Sequence, residues 1–234
     1  MRAISSMATR HLLIDLVAAV ADGESPALEI ESVGGVDAAR RLRAGEPFDL
    51  VFLAAGALGS LADDGRVDGA TLTPIVESEV AVAVPGGDVE APARVVGVAF
   101  DDEAALRDAV VAAARIGISS GPSGIAVRQL FADWGVADRL VEARPGVAVA
   151  ELVAARQVDL GFQQASELIG HPGVRVLGTL PHDCAIRTVF AGAVAETATD
   201  PLRARRYLVA LAGACSADLR ALHGFEMPVS LRGD

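Results

Sequence analysis

The stretch Ala3-Ile4-Ser5-Ser6-Met7-Ala8-Thr9 decides the fold, because a short apolar segment gives way to hydroxyl and small side chains where helical periodicity begins. The helical pattern runs from Thr9 to Ala21. A strand pattern follows over Ala27 to Val33, then a helix over Val36 to Ala44. Phe48 to Leu53 reads as the next strand, closed by Ala54-Ala55-Gly56, with a further helix to about Asp64. This alternation predicts a parallel sheet covered by helices on both faces, an α/β architecture.

Moving outward, Val80-Ala81-Val82-Ala83-Val84 is continuously apolar and stopped by Pro85-Gly86-Gly87, as expected of a strand buried on both sides. A helix from about Asp102 to Arg115 leads to a strand at Ile116-Gly117-Ile118. A helix then opens at Pro122-Ser123-Gly124, another spans about Val147 to Ala155, and Val158 to Phe162 is a strand. Val174 to Leu177, a hinge-like Pro181-His182-Asp183, a strand over Ile186 to Val194 and two helices from about Asp200 complete the chain. No repeat or low-complexity linker interrupts this order.

Composition narrows the function. Of 234 residues, 52% are hydrophobic and 22% charged, which excludes a disordered or fibrous chain and suits one sizeable domain or two small lobes. With 20 basic and 31 acidic side chains the net charge is −11, so nucleic acid and anionic membranes are not expected partners. Every basic residue is arginine and no asparagine occurs. Without lysine there is no Schiff base to pyridoxal phosphate and no Walker lysine; without asparagine there is no N-glycosylation acceptor. Cys184 and Cys215 lack the spacing of a zinc site or a disulfide framework. Neither a G-x-G-x-x-G fingerprint nor clustered histidines occur, so no cofactor and no metal are expected. Met1 to Ser6 begins directly in a strand, and Leu12 to Val20 is broken by Asp15, which predicts neither a leader nor a membrane span. The expected location is the cytoplasm, or the periplasm or cell exterior if a leader precedes Met1. Oligomeric state is not readable.

In open α/β sheets ligands collect at strand carboxyl ends, where helix N-termini present unpaired N–H groups and partial positive charge. Four junctions have that character: Ser5-Ser6-Met7, Gly34-Gly35, Ser119-Ser120-Gly121-Pro122-Ser123-Gly124, and Gln163-Gln164. The ligand-binding candidates are therefore Ser5, Ser6, Met7, Gly34, Gly35, Ser120, Pro122, Ser123, Gly124, Gln163 and Gln164. Each junction has an ordinary alternative as an N-cap or a turn. Arg10 suits a bidentate carboxylate clamp and His11 a proton carrier near neutral pH. Glu77 and Glu79 stand at the entry to the long apolar strand; a cleft-facing Glu79 raised by burial would be a second candidate base. Asp49 and Arg40, Arg41 and Arg43 read as surface or structural charges.

The segments Ile4 to Thr9, Ala38 to Leu53, Val80 to Val84, Gly121 to Ile125, Val149 to Ala154, Gly161 to Gln164 and Gly224 to Pro228 together resemble the type II periplasmic binding protein superfamily. They are most similar to its molybdate-binding-protein-like branch. The resemblance implies two α/β lobes with an interlobe ligand cleft and two crossing strands: residues 1–79 plus 190–234, and 80–189, crossing near Glu79 and Arg187. Met7 replaces the first ligand serine of the oxyanion binders, Gly34-Gly35-Val36 a serine-rich turn, and Gln164 a typical tyrosine. These departures turn the resemblance toward the offshoot of the branch that includes aconitate isomerase.

The expected activity is therefore a cofactor-independent isomerase that moves a double bond by an allylic proton shift in a small unsaturated carboxylic acid. His11 or Glu79 would carry the proton, and Arg10, the serine hydroxyls and backbone N–H groups would hold the charge. The alternative is a solute-binding protein of a transporter, or a cytoplasmic sensor, for a small organic anion or an oxyanion such as molybdate.

Overall fold

The computed structural model describes residues 1–21, 28–86 and 97–229. Ala27 and Gly87, at the ends of two expected strand segments, lie outside the described residues. The chain divides into two compact units, one of Met1–Glu77 with Thr188–Asp234 and one of Ser78–Arg187.

In the first unit β1 (Arg2–Ser6), β2 (Glu29–Val33) and β3 (Leu50–Ala54) pair in parallel, with β1 between the other two. A single 3-10 turn over Met7–Thr9 leads into α1 (Arg10–Val20), and α2 (Gly35–Arg43) and α3 (Ala55–Asp63) follow β2 and β3 with almost no linker. Beyond β3 come β9 (Arg187–Ala195), antiparallel to it, and β4 (Val67–Pro85). The sheet is thus mixed rather than parallel throughout. The returning strand comes from the far end of the sequence, a pairing no local periodicity can register.

Strand alternation sorts the side chains by face. Ala3, Leu50, Phe52, Phe190 and Val194 pack with Leu12, Leu13 and Leu16 of α1 and with Leu208 and Leu211 of α8 (Pro201–Ala214). Ile4, Val51, Leu53 and Ala191 pack on the opposite face with Leu42 of α2 and Leu58 and Leu61 of α3. Each fully buried leucine, isoleucine, valine or phenylalanine among them contributes about 1.5–3 kcal/mol. At Gly192 an added Cβ would lie 2.4 Å from Leu208 Cδ1 and 2.9 Å from Phe52 Cε1, so glycine lets α8 lie flat over Phe52. By the same alternation Ser5 faces the α1 side and Ser6 the α2 side. The last helix among the described residues is α9 (Ala217–Leu222), after which Glu226 bridges to Glu77 through paired backbone hydrogen bonds.

In the second unit the latter part of β4 pairs antiparallel with both β7 (Leu160–Gln164) and β8 (Val174–Thr179). β5 (Ile116–Ile118) lies parallel to β7 and to β6 (Leu140–Glu142), the last a strand too short and too polar to stand out in the sequence. Strand β4 is much longer than the apolar Val80–Val84, because its earlier half carries Thr, Asp, Gly and Pro. Its second half is buried on both faces: Val80 and Val82 meet one core, Ala81 and Ala83 the other. Helices α4 (Glu103–Ala112) and α5 (Pro122–Leu130) bring Leu106, Val110 and Val127 to the first core. Helix α6 (Val149–Ala154) covers the second core together with α7 (Ala165–Leu168). It lies close because β7 offers no side chain there: a Cβ on Gly161 would be 2.4 Å from Val153 Cγ2. The hinge-like Pro181-His182-Asp183 leads into one 3-10 turn, His182–Cys184. Among the described residues no helix is long and apolar enough to cross a membrane.

Candidate functional site

In the first unit the parallel trio β2-β1-β3 delivers three strand carboxyl ends, and hence three helix N-termini, to one edge. The residues there are Ser6, Gly34 and Ala54, and none supplies a side-chain cap to the helix or turn it precedes. Helices α4, α8 and α9 are capped in the usual way, Asp102 accepting from Ala105 N–H at 2.8 Å, Asp200 from Arg203 N–H at 3.0 Å and Ser216 from Leu219 N–H at 3.2 Å, whereas the N-cap residues of α5, α6 and α7 supply no side-chain cap either. The strand-end helices therefore keep their first N–H groups for another acceptor.

Gly34 and Gly35 sharpen this. Gly34 has φ −58° and ψ 136°, which any residue adopts, and a Cβ there would meet nothing within 4 Å. A Cβ on Gly35 would come no closer than 4.0 Å, to Ser6 Cβ. Neither backbone strain nor packing calls for glycine here. What glycine does is leave the N-terminus of α2 bare to close approach. Beside it Ser6 is 7% exposed, and its hydroxyl is buried without a hydrogen-bond partner among the described residues. A buried hydroxyl of that kind is costly unless something completes its bonding. Thr9 donates its hydroxyl to the Ser6 carbonyl at 3.3 Å, which fixes the turn below it.

The neighbouring candidates divide between the faces. Ser5 is fully buried and shares a hydrogen bond with Ser32, 2.7 Å between hydroxyl oxygens, across the in-register β1–β2 pair. Arg10 is exposed and lines a shallow depression of about 370 Å³ with Ile14, Ile30, Glu31 and Ser32. His11 is exposed in the first turn of α1 and Met7 is half-buried.

In the second unit the loop after β5 is built around Ser119, a residue whose role spacing alone did not reveal. Its hydroxyl accepts from Gly124 N–H at 3.0 Å and bonds the Ser123 hydroxyl at 3.0 Å. Gly124 is obligatory, since a Cβ there would sit 1.7 Å from the Ser119 carbonyl oxygen. Pro122 starts α5 with φ already helical, and Ser120 and Gly121 face partly outward above it. The strand end is thus folded back onto the helix N-terminus as a compact hydroxyl-lined turn.

Two expectations meet other partners. Gln163 Oε1 accepts from Val149 N–H at 2.7 Å, so this amide caps α6 from the adjacent strand. Glu79, expected as a buried base, is paired with the Arg187 guanidinium, its side chain 13% exposed. Both residues sit where the chain enters and leaves the second unit, and their ion pair ties those two points together. Glu77 is buried and accepts from Val229 N–H at 3.1 Å, anchoring the C-terminal segment. Gln164 is buried on the face opposite Gln163, in line with Phe162.

One group was not anticipated at all. Glu167, in α7, has its pKa pushed up to about 7 by burial, with a hydrogen bond from the Gln163 side chain pulling it partly back. Its neighbour Ser166 buries a hydroxyl that has no partner among the described residues. In sequence Ser166-Glu167 looks like an ordinary first helical turn; only burial distinguishes it. Cys184 and Cys215 are free thiols, and burial raises the pKa of both, that of Cys184 to about 11.

Comparison with known proteins agrees with this architecture. The family of bacterial extracellular solute-binding proteins matches residues 1–226. Aconitate isomerase of a Pseudomonas species is 28% identical over 176 residues, 74% of this chain; the match spans only 64% of that protein's length. The periplasmic molybdate-binding protein of Azotobacter vinelandii superposes with a TM-score of 0.74 at 16% identity, covering 97% of this chain and 99% of that one. The sulfate-binding protein SubI of Mycobacterium tuberculosis H37Rv gives 0.68 at 18% identity, covering 99% and 87%. The fold is that of the type II periplasmic binding proteins, as expected from the sequence.

Proposed function

We propose that this chain, which belongs to the bacterial extracellular solute-binding protein family, binds a small unsaturated carboxylic acid and isomerises it by an allylic proton shift. The observation that carries the binding half is the edge of the first unit: the unpartnered, buried Ser6 hydroxyl beside the N-terminus of α2 that Gly34 leaves bare. One buried O–H donor and several free N–H donors on a helix dipole suit a carboxylate. The Ser119–Ser123 turn supplies a second hydroxyl-lined helix end of the same chemistry. The likeness to aconitate isomerase supports the isomerase half.

In the proposed reaction a base takes a proton from a carbon adjacent to the double bond. The electron pair moves into a dienolate, the double bond shifts, and the proton returns at the other end of the allylic system. N–H and O–H donors aimed at the carboxylate hold the charge that develops there. We assign the base to His11, whose exposed imidazole stands in the first turn of α1. Glu79 is assigned to its pair with Arg187 instead.

The second reading, a binding protein or sensor for an organic anion or an oxyanion such as molybdate, is favoured by the same placement of Glu79, since binding needs no base. Proton NMR in D2O with cis- and trans-aconitate and related di- and tricarboxylates separates the two. New resonances or deuterium incorporation above a protein-free control, abolished by His11→Gln, are expected. Line broadening of the acids without exchange, or thermal stabilisation by molybdate alone, would leave the binding-protein reading in place of the isomerase.

A further inference from the structure

Strand β1 lies between β2 and β3, with Ser5 level with Ser32 on one side and with Phe52 on the other. Two residues on, at Gly34 and Ala54, each outer strand meets its helix. The two turns have nearly the same backbone, φ −58° and ψ 136° at Gly34, φ −55° and ψ 136° at Ala54. Helices α2 and α3 leave on the same face of the sheet, where Leu42, Leu58 and Leu61 share one core. Two helix N-termini therefore stand side by side, two strand spacings or about 10 Å apart, with the end of β1 between them.

Both starts are open. Ala38 N–H is the first in α2 to find a helical acceptor, the Gly34 carbonyl at 2.9 Å, which leaves the N–H groups of Gly35, Val36 and Asp37 without one. The same geometry leaves those of Ala55, Gly56 and Ala57 in α3. Gly56 repeats the pattern of Gly34, since it is exposed and a Cβ there would meet nothing within 4 Å. Asp37, the one acidic side chain in either first turn, is turned to Arg40, whose Nε donates to it at 3.2 Å. The observation that points to a ligand is Ser6, the last residue of β1. It is 7% exposed, its hydroxyl has no partner among the described residues, and strand alternation turns it to the side of α2 and α3.

Each helix start carries about half a positive charge. Two carboxylates are therefore held better apart, one on each N-terminus, than together on one. We propose that the first unit holds a dicarboxylate end to end, one carboxylate on the N–H groups of α2 and the other on those of α3, with the Ser6 hydroxyl donating between them. The proposal rests on the reading that a carboxylic acid binds at this edge. It narrows that acid to one with carboxylates at both ends of a short chain, and it adds the start of α3 to the site. It applies alike to an enzyme and to a binding protein.

The test is isothermal titration calorimetry of the full chain at neutral pH with trans-glutaconate, an unsaturated diacid, and with trans-2-pentenoate, the same chain with a methyl group in place of the second carboxylate. The diacid is expected to bind at least about tenfold more tightly, the yield of a second set of charge-assisted hydrogen bonds. A chain of net charge −11 repels the diacid more than the monoacid, so general electrostatics predicts the opposite order. Gly56→Asp sets a competing carboxylate at the start of α3 and is expected to abolish the difference. Gly59→Asp puts the same charge beyond the first turn, also in open space, and is expected to keep it. Should Gly56→Asp not fold, Ala55→Asp carries the charge to the same N-terminus. Equal affinities for the two acids in the wild type overturn the proposal. A difference that survives Gly56→Asp, or that Gly59→Asp removes equally, overturns the assignment to α3. Failure of both acids and of trans-aconitate to bind removes instead the carboxylate-binding reading on which the proposal stands.

Discussion

Replacing Gly124 with alanine puts a methyl group 1.7 Å from the Ser119 carbonyl oxygen and 2.6 Å from the Ser119 carbonyl carbon. Both are backbone atoms, so no rotamer change relieves the clash. Reaching even a 3.0 Å contact requires the turn or the start of α5 to move by about 1.3 Å. That movement breaks the Gly124 N–H bond to Ser119 Oγ and the Ser119–Ser123 hydroxyl bond, each contributing about 1 kcal/mol. Displacing α5, whose Val127 is fully buried, adds the usual overpacking cost of about 1–3 kcal/mol. The expected loss is together about 3–5 kcal/mol, a large share of the roughly 5–15 kcal/mol that stabilises a typical protein. Urea unfolding followed by circular dichroism measures it. Gly121→Ala is the control, because its Cβ would lie 3.9 Å from Ser119 Oγ and no closer to anything else. A Gly124→Ala protein within about 1 kcal/mol of wild type would refute the tight-turn account of this site.

Other expectations follow from the same geometry. Gly34→Ala adds a methyl group in open space, so stability should change by less than about 1 kcal/mol while trans-aconitate affinity, read by calorimetry, drops at least about tenfold; unchanged affinity would remove the α2 N-terminus from the site. For Glu167 the folded-state pKa of about 7 lies above the ordinary 4.5, so its favourable contribution is complete below pH 4.5 and is lost as pH rises through 7. Relative to Glu167→Gln, the wild type should lose up to about 3 kcal/mol between pH 4.5 and pH 8 in denaturant titrations; parallel curves would contradict the burial of this carboxyl. Glu79→Gln should cost about 1 kcal/mol by breaking the pair with Arg187, and an unchanged urea midpoint would show that the pair holds nothing. Arg41 holds Glu31 and Glu46 below the usual carboxylate range, so Arg41→Ala should return both to that range in carboxyl NMR titrations; titration curves that stay in place would contradict it.

The sequence by itself determined the order of the longer elements and the strand-end junctions, because both are local. Hydrophobic period distinguishes Thr9–Ala21 from Ala3–Ser6 without any partner. Hydroxyl and glycine residues at a strand-to-helix step mark a helix end wherever the chain then goes. That β9 returns antiparallel beside β3, and that β4 extends back to Val67, was decided by tertiary pairing; the residues concerned lie more than a hundred positions apart or carry no apolar run. The same division runs through the site. Ser6, Gly34 and Gly124 were legible as residues fit for a ligand. Only the packed structure separates Gly124, excluded by a carbonyl oxygen, from Gly34, which faces nothing. Glu79 and Gln163 looked available because their eventual partners, Arg187 and the Val149 N–H, come from other elements. Glu167 drew no attention because a carboxylate's titration depends on the solvent and counter-ions it loses on folding, and those are properties of the assembled interior.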